Sequence, residues 1–121
     1  MIFLDTCILI DYSRGTVPLS SEIFDRSRIN AIVQLEFLSG ARDKRELKKL
    51  NQILKRIQLV ELDQGIMDLA VQLMSRYALS HGMSVYDAII AATCMVYDIP
   101  LWTHNKRDFR FLDITLFEKH S

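Results

Sequence analysis

Three carboxylates stand alone in apolar surroundings. Asp5 is the only charged residue from Met1 to Ile10, Glu36 the only one from Ile29 to Ala41, and Asp87 the only one from Met83 to Tyr97. Taking an unpaired carboxylate out of water costs several kcal/mol, so each needs a partner or a cation. None of the three runs contains a basic residue. Three such acids converging on one crevice would suit a hard divalent cation, which takes oxygen ligands. A fourth cluster, THNKRDFR, adds oxygen groups from Thr103, Asn105 and Asp108. Plainer roles exist as well. Asp5 can cap a helix, Ser84-x-x-Asp87 fits a capping box, and THNKRDFR can be a charged surface loop. Glu36, in mid-helix between Leu35 and Phe37, has no such role.

The elements that must position these acids follow from periodicity and punctuation. Met1 to Leu4, Arg28 to Ile32, Gln58 to Leu62 and Leu101 to Thr103 are predicted strands, with Asp113 to Phe117 a possible fifth. Helices are expected at about Cys7 to Ser13, Ser20 to Arg26, over VQLEFLSG up to Gly40, Asp43 to Arg56, Ile66 to Leu79, and from Ser84 through Tyr97. Asp63 is a plausible N-cap, and His81-Gly82 marks a helix end. Strands alternating with helices indicate an α/β domain around a central, mainly parallel sheet of four to five strands. In such sheets the reactive crevice lies beyond the carboxyl ends of the strands, where Asp5 would sit.

Composition narrows the classes. The 121 residues carry 15 Lys and Arg against 15 Asp and Glu, and half are hydrophobic, which suits one globular domain and not a disordered chain. Cys7 and Cys94 are too few for a disulfide framework and fit a reduced, cytoplasmic setting. No apolar run reaches the ~18 residues of a membrane helix. The start, MIFLDTCILIDY, has no basic region and is interrupted by an acid, unlike a secretory signal. His81, His104 and His120 are scattered without zinc spacing, although His104 is a candidate substrate contact. Trp102, the methionines and both cysteines read as packing.

Zero net charge gives no argument for nucleic acid, but its arrangement does. From Arg42 to Arg56 there are seven basic residues (Arg42, Lys44, Arg45, Lys48, Lys49, Lys55, Arg56) against two acidic ones, a net +5 balanced by −5 elsewhere. Such a helix could hold backbone phosphates without reading sequence, or could be an ordinary solvated face. Arg107 and Arg110 are alternative phosphate contacts.

Taken together, these motifs resemble a PIN-domain ribonuclease, and more narrowly the VapC toxins of type II toxin–antitoxin pairs. The likeness spans nearly the whole chain, as one PIN domain over 1–121. It rests on MIFLDTCILIDYSRG, INAIVQLEFLSG, SVYDAIIAATC and IPLWTHNKRDF in that order, the third being the most specific. The segment between the first two acids is short for the family, leaving less cover on that side of an RNA groove.

The resemblance implies that Asp5, Glu36 and Asp87 are catalytic and bind Mg²⁺ or Mn²⁺. Asn105 and Asp108, 18 and 21 residues after Asp87, compete for the fourth acidic position. Asp108 is favoured as the acid, with Asn105 in a supporting role beside Thr6 and Thr103. One ion could serve, or two ~3.5–4 Å apart clamping the attacking and leaving oxygens. Glu36 could ligate directly or orient the attacking water. The family likeness further implies RNA hydrolysis to a 3′-hydroxyl and a 5′-phosphate, a homodimer, and inhibition by a small cognate antitoxin.

Two other functions share features with this pattern. A PIN-like fold without activity would serve as an interaction module, against which stands the retention of every acidic position. A receiver-type signalling domain would need paired acids after the first strand, a phosphoacceptor Asp after the third and a Lys after the last. Here the first strand ends in a single Asp followed by Thr6, and no Lys occupies that last place.

Overall fold

Ile2, Phe3 and Leu4 are all buried, and this run forms β1 (Ile2–Leu4). Burial of three successive residues requires cover on both faces of the sheet, as a central parallel strand has. Its neighbours are β2 (Ser27–Ile29), with Ser27 opposite Ile2, and β4 (Leu101–Trp102), with Leu101 opposite Phe3. β3 (Gln58–Leu59) pairs with the outer edge of β2. Among the described residues the sheet order is β3-β2-β1-β4, all parallel. The structure is a computed structural model describing residues 1–119; His120 lies outside the described residues.

Among the described residues six α-helices connect and flank the strands: α1 (Thr6–Ser13), α2 (Ser21–Arg26), α3 (Ala31–Ser39), α4 (Lys44–Leu54), α5 (Gln64–His81) and α6 (Val85–Tyr97). Each begins on a side chain that accepts a main-chain N–H of its first turn: Asp5, Ser20, Asn30, Asp43, Asp63 and Ser84. Helix α5 stops at Gly82, whose φ of +62° is the left-handed conformation that glycine adopts without cost from a Cβ. It packs along α6, while α1 packs on α3. The face of α6 from Ala88 to Cys94 is buried, and small residues at 88, 91 and 92 let the helix lie close to its neighbours.

Several boundaries differ from expectation for local reasons. Strand β2 ends at Ile29 because Asn30 turns to cap α3, which therefore starts before Val33. Helix α4 ends at Leu54 and does not reach Arg56, while α5 starts at Gln64, directly after its Asp63 cap, and runs on to His81 before the left-handed Gly82. Both residues of β3 are exposed, so this edge strand is short and Val60 to Leu62 lie beyond it. The fifth strand is only a bridge between Leu116 and Leu101. Leu101 N–H donates to Thr115 O at 2.8 Å, and Phe117 N–H donates to Leu101 O at 2.7 Å. No helix among the described residues is long and apolar enough to cross a membrane.

Candidate active site

Three strands hand the chain to a buried polar residue at their carboxyl ends: Asp5 after β1, Asn30 after β2 and Thr103 after β4. The strands are parallel, so these ends share one edge of the sheet. Asp5 is only 3% exposed. Its Oδ1 accepts the Thr6 N–H and the Tyr86 O–H, each at 2.7 Å, and its Oδ2 accepts the Thr103 O–H at 2.7 Å. Burial of a carboxylate calls for a partner or a cation, and Asp5 has partners. Neutral donors from three segments satisfy it.

Tyr86 was not legible as a site residue. Its single phenolic proton goes to Asp5, so the Thr6 hydroxyl donates to the phenol oxygen, which also accepts the Thr6 N–H at 3.1 Å. Burial, and then the Asp5 charge, raise the Tyr86 pKa above its usual value and keep the phenol a donor. A polar ring directly before Asp87 was the available signal. We expect Tyr86→Phe to cost about 1–3 kcal/mol of stability, as loss of a hydrogen bond to a charged group does. With Asp5 catalytic, as the family resemblance implies, turnover should fall roughly tenfold with KM unchanged, because the loss falls on the orientation of Asp5. Denaturant unfolding and steady-state kinetics of the purified variant check both.

Thr103 serves two partners. While donating to Asp5, its oxygen accepts the Asn105 N–H at 2.9 Å. The Asn105 link to the site therefore runs through its backbone, with the residue itself exposed. Cys7 lies beside the same hydroxyl, its Sγ 3.8 Å from Thr103 Oγ1 and accepting the His104 N–H at 3.4 Å. Burial and the nearby Asp5 charge raise the Cys7 thiol pKa, which suits packing and not reactivity. His104 is taken up by Asp11, Nε2 to Oδ2 at 2.8 Å, a pairing absent from the sequence reading.

Asp87 lies in the first turn of α6, where its main-chain N–H donates to Ser84 Oγ at 3.0 Å. The cap is therefore the Ser84 hydroxyl, which accepts this N–H, and the Asp87 carboxyl is not the capping group. That carboxyl is half-buried, and its pKa is raised to about 6, first by desolvation and then by the charges of Asp108 and Asp5. A hydrogen bond from Ser84 opposes the rise. Asp108, exposed on the 3₁₀ turn Lys106–Asp108, is therefore the member of the Asn105/Asp108 pair that acts electrostatically on Asp87.

Glu36 behaves differently. It is exposed on α3, so the desolvation argument made for it from its apolar neighbours fails, and it adds nothing to the repulsion on Asp87. Leu35 beside it is also exposed, at 63%. The helix turns Val33 and Phe37 inward instead. Helix α3 is nonetheless tied to α6 by a buried bridge: Asn30 Nδ2 donates to Thr93 Oγ1 at 2.9 Å, and Thr93 donates to Ile89 O at 2.7 Å. The Glu36 helix and the Asp87 helix are therefore held together by a polar pair that the sequence reading missed.

Among the described residues, no three His, Cys, Asp or Glu side chains converge closely enough as they stand to hold an ion. The donor chemistry nevertheless suits a hard cation. Asp5, Asp87 and Asp108 are all-oxygen groups, and the repulsion that raises Asp87 is what a bound divalent charge would relieve.

The basic residues divide into engaged and free ones. Arg42 pairs with Glu46 at 2.9 Å, Lys49 donates to Ser13 O at 2.8 Å, and Arg56 donates to Tyr12 and covers the Phe24 ring. Lys44, Arg45 and Lys48 on α4 are exposed and make no side-chain contact of this kind among the described residues. The same holds for Arg107 and Arg110 beside Asp108. A cleft of about 410 Å³ between the end of α1 and α4 includes Arg14, Arg42 and Lys49 but none of the four acids.

Comparison with known proteins identifies the family and the fold. The PIN-domain family profile matches residues 2–114. Ribonuclease VapC1 of Methanocaldococcus jannaschii is 31% identical over 115 residues, covering 92% of this chain and 80% of that protein. Ribonuclease VapC19 of Mycobacterium tuberculosis is 34% identical over 116 residues, covering 90% and 92%. A toxin–antitoxin complex from Klebsiella pneumoniae contains a chain of the same fold, with TM-score 0.75, 24% identity and 97% coverage of each chain. With the family profile matching residues 2–114 and relatives above 30% identity over nine-tenths of its length, this chain, built on a parallel sheet with Asp5 at its carboxyl edge, belongs to the PIN-domain family, among its VapC-type members.

Proposed function

We propose that this chain is a metal-dependent endoribonuclease that hydrolyses RNA phosphodiester bonds as the toxin of a toxin–antitoxin pair. The observation that carries the reading is the match over at least 90% of this chain to relatives named ribonucleases, and the charges of Asp108 and Asp5, which together with desolvation raise the Asp87 pKa, support the site. Asp5, Asp87 and Asp108 would hold Mg²⁺ or Mn²⁺, with Glu36 contributing from α3. When bound, such a cation offsets the negative charge of the phosphodiester and activates water for attack.

The chain's own residues do the positioning. Tyr86 and Thr103 each hold a different oxygen of Asp5, so its carboxylate is oriented before substrate arrives. Thr6 holds Tyr86 in turn. Glu36, exposed and free to move, is suited to orienting the attacking water. Lys44, Arg45, Lys48, Arg107 and Arg110 would meet backbone phosphates, whereas Arg42 and Lys49 are partly committed to Glu46 and Ser13.

A small cognate antitoxin is the inhibitory partner in this reading, and a second copy of the chain completes a homodimer. Structural neighbours include FitAB bound to a DNA fragment, with TM-score 0.75 at 24% identity, and the Klebsiella pneumoniae toxin–antitoxin complex. A reduced cytoplasmic setting suits the free thiols of Cys7 and Cys94.

The test is direct. Purified chain incubated with single-stranded RNA in Mg²⁺ or Mn²⁺ should give 5′-phosphorylated fragments, and EDTA should reduce cleavage to background. Intact RNA in both metals overturns the reading. Equal cleavage in EDTA overturns its metal requirement. Co-expression with the product of a short adjoining reading frame should suppress the cleavage.

A further inference from the structure

A second cleft of about 410 Å³ opens between the last turn of α5 and the 3₁₀ turn, lined by Ser80, His81, Arg107, Asp108, Arg110 and Phe111. Its volume lies within the ~300–1,000 Å³ of small-ligand sites. Asp108 lines this cleft and is one of the acids proposed above to hold the metal, so the cleft adjoins the candidate active site.

One side of the cleft is an ordered aromatic platform. The His81 ring stacks on Phe111 with centroids 4.0 Å apart and planes at 19°. Tyr77 meets both rings edge-on, at 5.3 Å from His81 and 4.9 Å from Phe111. Ser80 Oγ lies 2.8 Å from His81 Nδ1 and sets the rotation of the ring. Despite these contacts His81 remains exposed. Three contacts hold an imidazole that the fold has not covered.

The other side is cationic and unspent. Arg107 and Arg110 are exposed and have no side-chain hydrogen bond or ion pair among the described residues. Their neighbours differ: Lys106 is paired with Glu118 at 3.0 Å and His104 with Asp11. Free guanidinia match phosphate in geometry and charge. An exposed, rigid ring accepts any base by stacking. An acidic peptide would use the arginines but would leave the platform idle.

We propose that this cleft seats the RNA nucleotide adjoining the scissile phosphate, its base stacked on His81 and its phosphate on Arg107 and Arg110. The assignment rests on the ribonuclease reading above and adds a subsite to it.

Binding is best measured without turnover, in the Asp87→Asn background with Mg²⁺, by anisotropy of a fluorescein-labelled single-stranded RNA. His81→Ala should weaken binding roughly tenfold, while His81→Phe should stay within about threefold of the background. Arg107→Ala with Arg110→Ala should weaken binding about tenfold and flatten its dependence on salt. An RNA with abasic sites flanking the cleavage position should bind His81→Ala and its background alike. Circular dichroism melts establish that the variants fold.

Unchanged RNA binding in both sets of variants overturns the subsite. Equal loss in His81→Ala and His81→Phe overturns the stacking assignment. Loss of antitoxin binding with RNA binding untouched gives the cleft to a protein partner and also overturns it. Cleavage by the unmodified chain tests the ribonuclease reading separately. A chain that cleaves RNA while its cleft variants bind normally loses only this inference.

Discussion

Asp87→Asn should lower RNA cleavage by at least about a thousandfold while making the metal-free protein more stable at neutral pH. The first effect follows from removing a carboxylate from the proposed metal cluster. The second follows from the raised pKa of about 6, against an ordinary value of 3.8. Between about pH 4 and 6 the folded chain keeps a proton that the unfolded chain has lost. Stability therefore falls as pH rises through that window and stays lower above it. Because the carboxyl is only half-buried, the effect is discounted to about 1–2 kcal/mol. Thermal melts in EDTA should show the variant above the parent at pH 7.5, with the difference gone by pH 4. Adding Mg²⁺ should raise the parent's Tm more than the variant's. A variant that melts below its parent at pH 7.5 would contradict the like-charge crowding.

Replacing Asp5 by Ala should cost about 3–5 kcal/mol and abolish activity, whereas Asp5→Asn should lose activity and keep most of the stability. Three donors converge on this carboxylate in a buried setting: Tyr86 O–H, Thr103 O–H and Thr6 N–H. Alanine leaves them without an acceptor. The amide oxygen of Asn can still accept from Tyr86 and Thr6, and its NH₂ can donate to Thr103 once that hydroxyl rotates. The negative charge of this proposed metal ligand is lost either way. Urea unfolding of both variants beside a cleavage assay separates packing from chemistry. Equal destabilisation by Ala and Asn would mean that the negative charge itself, and not the hydrogen-bond acceptors, is what the surrounding donors stabilise.

The helices were legible because their starts are local. Asp43, Asp63 and Ser84 each cap the turn that follows, and no distant residue is needed to satisfy those N–H groups. Strand ends were less legible. Asn30 could extend β2 or cap α3, and its buried bond to Thr93, 63 residues away, favours the second. The Leu116 bridge to Leu101 is too brief for periodicity to distinguish it from a strand.

For the site, the sequence by itself singles out Asp5, Glu36 and Asp87, since a single charge in an apolar run is visible without coordinates. It could not decide their surroundings. Glu36 and Asp5 look alike in sequence, each flanked by apolar residues. Yet Glu36 is exposed and Asp5 is 3% exposed. The difference arises because a helix turns successive residues through its full circumference, so apolar neighbours need not share a side chain's face. Asp5 instead follows a strand paired on both edges, where every direction is filled. The Tyr86 and Thr103 hydroxyls reach Asp5 across 81 and 98 residues. Only the order of the parallel strands and the docking of α6 bring them there, because such contacts are set by packing and have no local period. Residue identity supplied the carboxylates; tertiary structure decided which are held by neutral donors, which repel one another, and which remain in water.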